Sequence, residues 1–294
     1  MRINNGVNRY PYFLLLPLIL ILGAIIFYPI GYAIFLSLNN YVLTRPHEIG
    51  FSGLSNYIKI FAEDKVFWRA LVRTGRWVFW TISLELLLGL VTAWLLNQEF
   101  RGRNIIRSVI LIPWIFPSVL TGLIWVWMFD DSYGVINDIL FKLHLISDFI
   151  PWLSQSSTVL YSVIIAQVWH GIPFFAIMIL AAMQGIPEEL YEAARIDGSN
   201  KWQEFWYVTW PAILPTTMIV TLLRTIWTAS YVEHIQIMTG GGPGESTLTL
   251  PVYIFRRAYS YLDFGYGAAL SIVLIIMLSG LVWVYLRMIR SHKE

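Results

Sequence analysis

The chain has 294 residues, of which 57% are apolar and 13% charged, with a formal net charge of +2. Globular chains carry about 25% charged residues, so the composition excludes an ordinary soluble domain, a disordered chain and a coiled coil. With no cysteine there is no disulfide scaffold, thiolate metal site or Cys nucleophile, and the charge is too small to suggest nucleic acid.

The apolar residues are bunched into six stretches, 12–38, 77–96, 105–129, 159–183, 213–237 and 265–286. Each can supply the ~20 residues that cross a bilayer core, and the connectors are too short for a soluble domain with its own core. The pattern predicts an all-α integral membrane protein with six transmembrane helices. The first run follows Arg2 and Arg9 but exceeds the ~7–15 apolar residues of a signal peptide, and no A-x-A-like site closes it. It is expected to be a membrane helix. Between 39 and 76, Leu54, Tyr57, Ile58, Phe61, Phe67 and Leu71 predict surface helices in an external loop, with their basic neighbours at headgroup level. Pro17 and Pro29, Pro113 and Pro117, and Gly171 and Pro173 mark irregular backbone in the first, third and fourth helices. Tryptophans 114, 125, 127, 152, 169 and 283 fall near helix ends or kinks, where most are expected to be interfacial anchors.

Arg101, Arg103 and Arg107 crowd one short connector, and Arg287, Arg290 and Lys293 crowd the C-terminal tail. The loop 130–157 has Asp130, Asp131, Asp138 and Asp148 against Lys142 alone. The positive-inside rule then predicts cytoplasmic termini. Lys59, Lys65, Arg69, Arg73 and Arg76 are the exception, because they fall on the external side.

Signals for covalent chemistry are missing. Gly240-Gly241-Gly242-Pro243-Gly244 continues without the lysine of a phosphate-binding loop. No H-E-x-x-H or G-x-S-x-G occurs, and histidines 47, 144, 170, 234 and 292 are scattered. His170 is read as a hydrogen-bonded packing residue. Neither an enzyme nor a metal site is expected.

The segment 184–212 is the most informative. Pro187 suits a first helical position, and Glu188 and Glu189 the first turn. The helix should run through Ile196 and stop at Asp197-Gly198, with Gly198 left-handed. Ser199 or Asn200 can cap a second short helix holding Trp202, Phe205 and Trp206, which Pro211 closes. Taken alone, this segment reads first as a solvated amphipathic connector, the ordinary state of a loop of this length.

Glu192-Ala193-Ala194-x-x-x-Gly198, with Val208-x-Trp210-Pro211 behind it, resembles the EAA loop of ABC importer permeases. The strings Glu-Ala-Ala-Arg-Ile-Asp-Gly-Ser and Lys-Trp-Gln-Glu-Phe are similar to the sugar-uptake branch with the maltose-type and glycerol-3-phosphate-type permeases. Leu54-Ser-Asn-Tyr57, Phe100-Arg-Gly-Arg103, Ile112-Pro-Trp114, Tyr133-Gly-Val-Ile-Asn137 and Met238-Thr-Gly-Gly-Gly-Pro243 extend the resemblance over most of the chain. At the usual Ile-x-Leu-Pro ending this chain departs from the pattern, with Val208 and Trp210 in place of Ile and Leu.

The resemblance implies a type I importer permease in a bacterial cytoplasmic membrane, with residues 1–70 as N-terminal part and 71–290 as permease core. It implies a second permease subunit, two ABC ATPase subunits that carry ATP and Mg²⁺, and a binding protein that delivers a sugar. Glu192, Ala193, Ala194, Asp197 and Gly198 would contact the ATPase. Thr239, Gly241, Gly242 and Pro243 would open a loop facing the binding protein, against the simpler reading of an ordinary turn.

Glu85 and Arg224 lie about eight and eleven residues into their predicted helices, or roughly 12 and 16 Å deep. Charges at that depth face a bundle or a wet cavity and find partners. Thr217, Thr221, Arg224, Thr228 and Tyr231 share one helical face, flanked by Trp227. That face is expected to line the pathway or the seam with the second permease. Glu85 and Arg224 pair with each other, meet water or backbone separately, or Arg224 pairs with the partner subunit. A secondary transporter using Glu85 as its coupling acid is the competing function, although no internal repeat supports it. A membrane-embedded enzyme would need an acid/base or metal constellation that is missing.

Overall fold

The computed structural model describes residues 10–291, which are mostly helical. Five helices have the length and composition to cross a membrane: Leu14–Ser37, Lys65–Asn97, Val159–Gln184, Lys201–Met238 and Phe264–Arg287. A pair bent at a short break, Arg103–Ile115 and Ser118–Met128, gives a sixth when taken as one span. Counting that pair as the third, we call these the first to sixth spans. They coincide with the six apolar stretches. Arg2, Arg9 and Lys293, on which the expected placement of the termini partly rests, lie outside the described residues.

The chain divides into two compact units. The first comprises residues 10–64 and 254–276. Its span begins as a helix at Tyr10–Leu22, widens into a π-type turn at Gly23–Phe27, and continues as Tyr28–Ser37. Pro29 lacks an N–H, and the wider turn adjusts the ladder where that donor is missing. Below the span, Asn39–Asn40 pairs antiparallel with Gly50–Phe51. The N–H of Phe264 donates to Tyr41 O at 2.9 Å, and Tyr266 Oη donates to Asp64 Oδ2.

The second unit comprises residues 65–253 and 277–291. Its core forms where the second span packs on the fourth and fifth, around Ala93, Phe175, Ile179, Met183, Ile213 and Val220. Gly89 lets the second and fourth spans approach closely, because a Cβ there would overlap the Phe175 side chain. The second span corrects one expectation. Residues 65–76 are not loop but the first turns of one helix, Lys65–Asn97. Phe67, Ala70, Thr74 and Trp77 are buried along a single face that runs on into the apolar part. The arginines lie off that face and are good helix formers, so they do not interrupt it.

The third span bends by 95°. Phe116 is extended (φ −67°, ψ 134°) because Pro117 follows it. The fourth span, by contrast, stays one helix through Pro173. The expected helix 213–237 is two pieces: Trp210–Ala229 stops and Glu233–Met238 resumes. Ser230 Oγ donates back to Ile226 O, and Trp77 Nε1 donates to Thr228 O at 3.1 Å, so the freed carbonyls find partners. Pro211 does not close the helix before it. It sits in the first turn of Trp210–Ala229, where its missing N–H is tolerated, and a π-type turn at Phe205–Thr209 joins the two.

Among the tryptophans Trp125 is buried and Trp152 and Trp169 are half-buried, while Trp114 is exposed. Trp125 is buried edge-on against Trp169, and Trp152 Nε1 donates to the buried Asn137 side chain at 2.8 Å. Trp127 and Trp283 are exposed as expected.

Candidate functional site

Two regions of the second unit hold the residues that sequence reasoning singled out. In the first, a membrane-interior cluster, Glu85 of the second span meets Arg224 of the fifth. Arg224 Nε donates to Glu85 Oε2 at 3.0 Å, and Nη2 donates to Oε1. Their side chains are 0% and 6% exposed. Of the three arrangements open from sequence, the structure has the direct pair. The planar guanidinium fork matches both carboxylate oxygens, and burial makes the attraction far stronger than it would be in water.

The fourth span closes over this pair at Gly171. A Cβ on Gly171 would overlap Glu85 Oε1 and Arg224 Nη2, so the helix can lie against the ions only without a side chain there. The Phe174 ring faces the guanidinium at 5.9 Å. Beside it His234 Nδ1 and Gln167 Oε1 are 2.6 Å apart, and the His170 ring stands edge-on to His234. His170 is a packing residue, as expected: its ring hydrogen-bonds the Phe116 backbone, while its Nδ1 has no partner among the described residues. Thr217, Thr228 and Tyr231 share this condition at their hydroxyls. Thr217 and Thr228 are buried, whereas Trp227 is largely exposed beside them.

The second region is the 184–212 segment. The helix runs Glu188–Ile196, with Pro187 as its N-cap rather than its first helical residue. Gly198 has φ +81°. Its N–H bonds Arg195 O, and the N–H of Ser199 bonds Ala194 O at 2.9 Å. Those two reverse bonds are a Schellman stop and need a left-handed residue. Asn200 then caps Lys201–Glu204 in a reciprocal capping box with Gln203. Glu192, Ala193, Asp197 and Gly198 are exposed and Ala194 half-buried.

Sequence reasoning missed what braces this helix. Arg195 Nη2 donates to Glu188 Oε1 at 2.9 Å, and Arg195 Nε to Glu204 Oε1 at 3.2 Å. Its guanidinium is pushed above the usual arginine range by the bond to Glu188, with Glu204 adding to it. Tyr191 Oη and Thr209 Oγ1 are 3.0 Å apart. The helix is thus fastened to the foot of the fifth span. The signal was present: Glu204 is a lone acid among Trp202, Phe205 and Trp206.

The glycine loop after the fifth span is pinned rather than loose. Thr239 Oγ1 lies 2.7 Å from Thr247 Oγ1 and accepts from Gly241 N–H, and Thr247 Oγ1 donates to Gly242 O. Gly241 is buried, while Thr239, Gly242 and Pro243 are half-buried. In the 130–157 loop, N–H donors from Ser132 and Tyr133 hold the Asp130 carboxyl below the usual carboxylate range.

The chain is similar to known proteins over most of its length. Residues 85–290 match the family of the binding-protein-dependent transport system inner membrane component. The chain is 34% identical over 283 residues to the trehalose/maltose transport system permease protein of Thermococcus litoralis, covering 96% of this chain and 94% of that protein. It is 36% identical over 278 residues to the sulfoquinovosyl glycerol transport system permease protein of Agrobacterium fabrum, covering 95% and 89%. The fold is that of a chain in the crystal structure of a bacterial ABC transporter involved in the import of the acidic polysaccharide alginate. The TM-score is 0.83 at 21% identity, over 97% of this chain and 96% of that chain. A second alginate transporter structure is a complex with a pentasaccharide-bound periplasmic protein. The alternative of a secondary transporter coupled through Glu85 finds no support, and Arg224 engages both oxygens of that acid. The six-span fold and these likenesses place the chain in the family of binding-protein-dependent transport system inner membrane components: it is an ABC transporter permease subunit.

Proposed function

We propose that this permease is one of two membrane-spanning subunits of an importer that carries a sugar or sugar-like solute across the cytoplasmic membrane. A binding protein on the outer side delivers the solute, and two ATPase subunits on the inner side drive transport. Both termini and the 184–212 loop face the cytoplasm, and residues 71–290 form the permease core. The named substrates of the relatives, trehalose/maltose and sulfoquinovosyl glycerol, support a carbohydrate-type solute. The periplasmic protein in the alginate complex supports the delivery step.

The observation that carries the coupling role is the exposed, braced helix Glu188–Ile196. Its outer face offers Glu192, the low-profile Ala193 and Ala194, and Ile196, which is 86% exposed. Its inner face is tied through Arg195 to Glu204 at the foot of the fifth span. A docked ATPase that moves this helix therefore moves the fifth span, whose Arg224 is bonded to the second. ATP biases the bundle between two access states through differential contacts at the docked helix. Buried hydroxyls and imidazole nitrogens without protein partners beside Arg224 support a polar lining for the pathway or the subunit seam. Glu85, Arg224, Trp227, Thr228 and Tyr231 belong to that lining. Thr239 to Pro243 face the binding protein.

The test is Gly198→Val in the assembled transporter. A β-branched residue at φ +81° is strained and undoes the Schellman stop. The complex should assemble but lose the stimulation of ATPase by solute-loaded binding protein. Wild-type stimulation in that variant removes the coupling role. Cysteines at Ser199 and Ser246 in this cysteine-free chain should label only from the cytoplasmic and the external side, respectively. Labelling from one side overturns the topology.

A further inference from the structure

Arg69, Arg73 and Arg76 are among the basic residues that fall on the side expected to be external, and the transport reading does not use them. They lie on one face of the second span, at positions i, i+4 and i+7. Arg69 is accounted for by Glu245, at 2.9 Å. Among the described residues Arg73 and Arg76 have no carboxylate within ion-pairing distance. Arg73 Nη1 is buried and has no hydrogen-bond partner. Glu245 attracts Arg73 electrostatically, but it is bonded to Arg69. Two arginines without a carboxylate partner leave an uncompensated positive charge here, which favours an anion from outside this chain.

The structure holds a cavity of that character at these residues. About 280 Å³ in volume, it has Arg73 and Arg76 on one wall and Ser156, Ser157 and Ser246 supplying hydroxyls. Its far wall is the N-terminus of the 26-residue helix Val159–Gln184, whose Thr158 N-cap makes no side-chain cap. That helix end carries partial positive charge and favours an anion. Trp80 and Tyr161 form the exposed rim.

The depth identifies the level in the membrane. Arg76 lies 21 residues from Asn97, the other end of its helix, which is roughly 32 Å at 1.5 Å per residue. With Asn97 at one boundary of a ~30 Å hydrocarbon core, Arg76 lies at the opposite one. That is where headgroup phosphates sit and where tryptophan and tyrosine rims are usual. We infer that this cavity is a binding site for a phosphate-type oxyanion, with Arg73 and Arg76 as its cationic clamp. The phosphate of an anionic lipid headgroup is its natural source at this depth.

The experiment uses the full chain in its assembled transporter, reconstituted in nanodiscs of phosphatidylcholine alone or with added phosphatidylglycerol. Native mass spectrometry counts retained phosphatidylglycerol, and thermal unfolding of the phosphatidylcholine sample is followed with inorganic phosphate. Wild type should retain one more phosphatidylglycerol per chain than Arg73→Gln/Arg76→Gln, with apparent affinity falling roughly tenfold or more in the variant. Ser246→Leu, which fills the cavity and leaves the arginines intact, should reduce retention as well and guards against a folding defect in the double variant. Stabilisation of wild type by inorganic phosphate, absent in the variants and without lipid retention, assigns the same site to a free anion. Equal lipid retention and equal response to phosphate in all three proteins overturn the proposal.

Discussion

Two of the acid–arginine arrangements in the second unit, Glu85 with Arg224 and Arg195 with its glutamates, look alike in sequence and differ in surroundings. Glu85 and Arg224 are sealed in the membrane interior, with side chains 0% and 6% exposed. Arg195 at the 184–212 loop is 48% exposed and shared between Glu188, 67% exposed, and Glu204, 7% exposed. Water reaches Arg195 and Glu188 and screens that half of the second arrangement, so its energetic weight is small and its use is positional, while Glu204 is buried at the foot of the fifth span. The first has no such solvent, so each ion depends on the other. One pair holds spans together, and the other holds a helix at an angle.

The sharpest way to break this comparison is to remove one partner of the buried pair. Glu85→Gln or Arg224→Gln should each cost about 3–5 kcal/mol, because an uncompensated charge is left in the interior. Thermal unfolding and the yield of assembled transporter report the loss. The double variant should lose less than the sum, by ~1 kcal/mol or more, since neither charge is then stranded. Strict additivity would show that the two side chains touch without depending on one another.

Glycines sharpen the point at a smaller scale. Gly171→Ala should cost about 1–3 kcal/mol, because its Cβ must displace Glu85 or Arg224. Gly75→Ala, in the second span with nothing within 4 Å, should be neutral or stabilise by up to ~1 kcal/mol. The two should shift the unfolding midpoint in opposite directions. A similar shift in both would mean that close approach at the ion pair does not matter.

These positions show how much of the molecule its sequence discloses. Six apolar runs and the stop at Gly198 were legible because each is a local signal. The Glu85–Arg224 pair was legible as one of three arrangements, since two lone charges at mid-membrane have few ways to be satisfied. What escaped depends on the packing of distant segments. Residues 65–76 read as loop because their arginines hide a buried face of Phe67, Ala70 and Thr74. Pro117 signals a break in the third span, but its 95° angle is not in the local sequence. The stop at Ala229 carries no glycine or proline, and Trp77 meets it from the second span. Gly171 was read as a breaker, when its role is to admit an ion pair brought from two other helices.

The smallest effects come from dividing Arg195 between its two partners. Both are glutamates, and a count of salt bridges would weigh them equally. Glu188 sits in the first turn of the loop helix itself, so its bond to Arg195 fixes nothing outside that helix and is screened by solvent. Glu204 belongs to the foot of the fifth span, is buried, and also receives Lys201 Nζ at 3.3 Å. On the proposed coupling role, Glu188→Gln should leave both the unfolding midpoint and the stimulated ATPase rate at wild-type values. Glu204→Gln should lower the stimulated rate while leaving assembly and basal ATPase intact, because the brace between helix and span is weakened but neither is unfolded. Measuring both variants at low and at high salt separates screening from contact: any loss in Glu188→Gln should vanish at high salt, whereas that in Glu204→Gln should persist. Identical losses in the two variants would mean that the local stability of the loop helix, and not its attachment to the fifth span, sets the coupling.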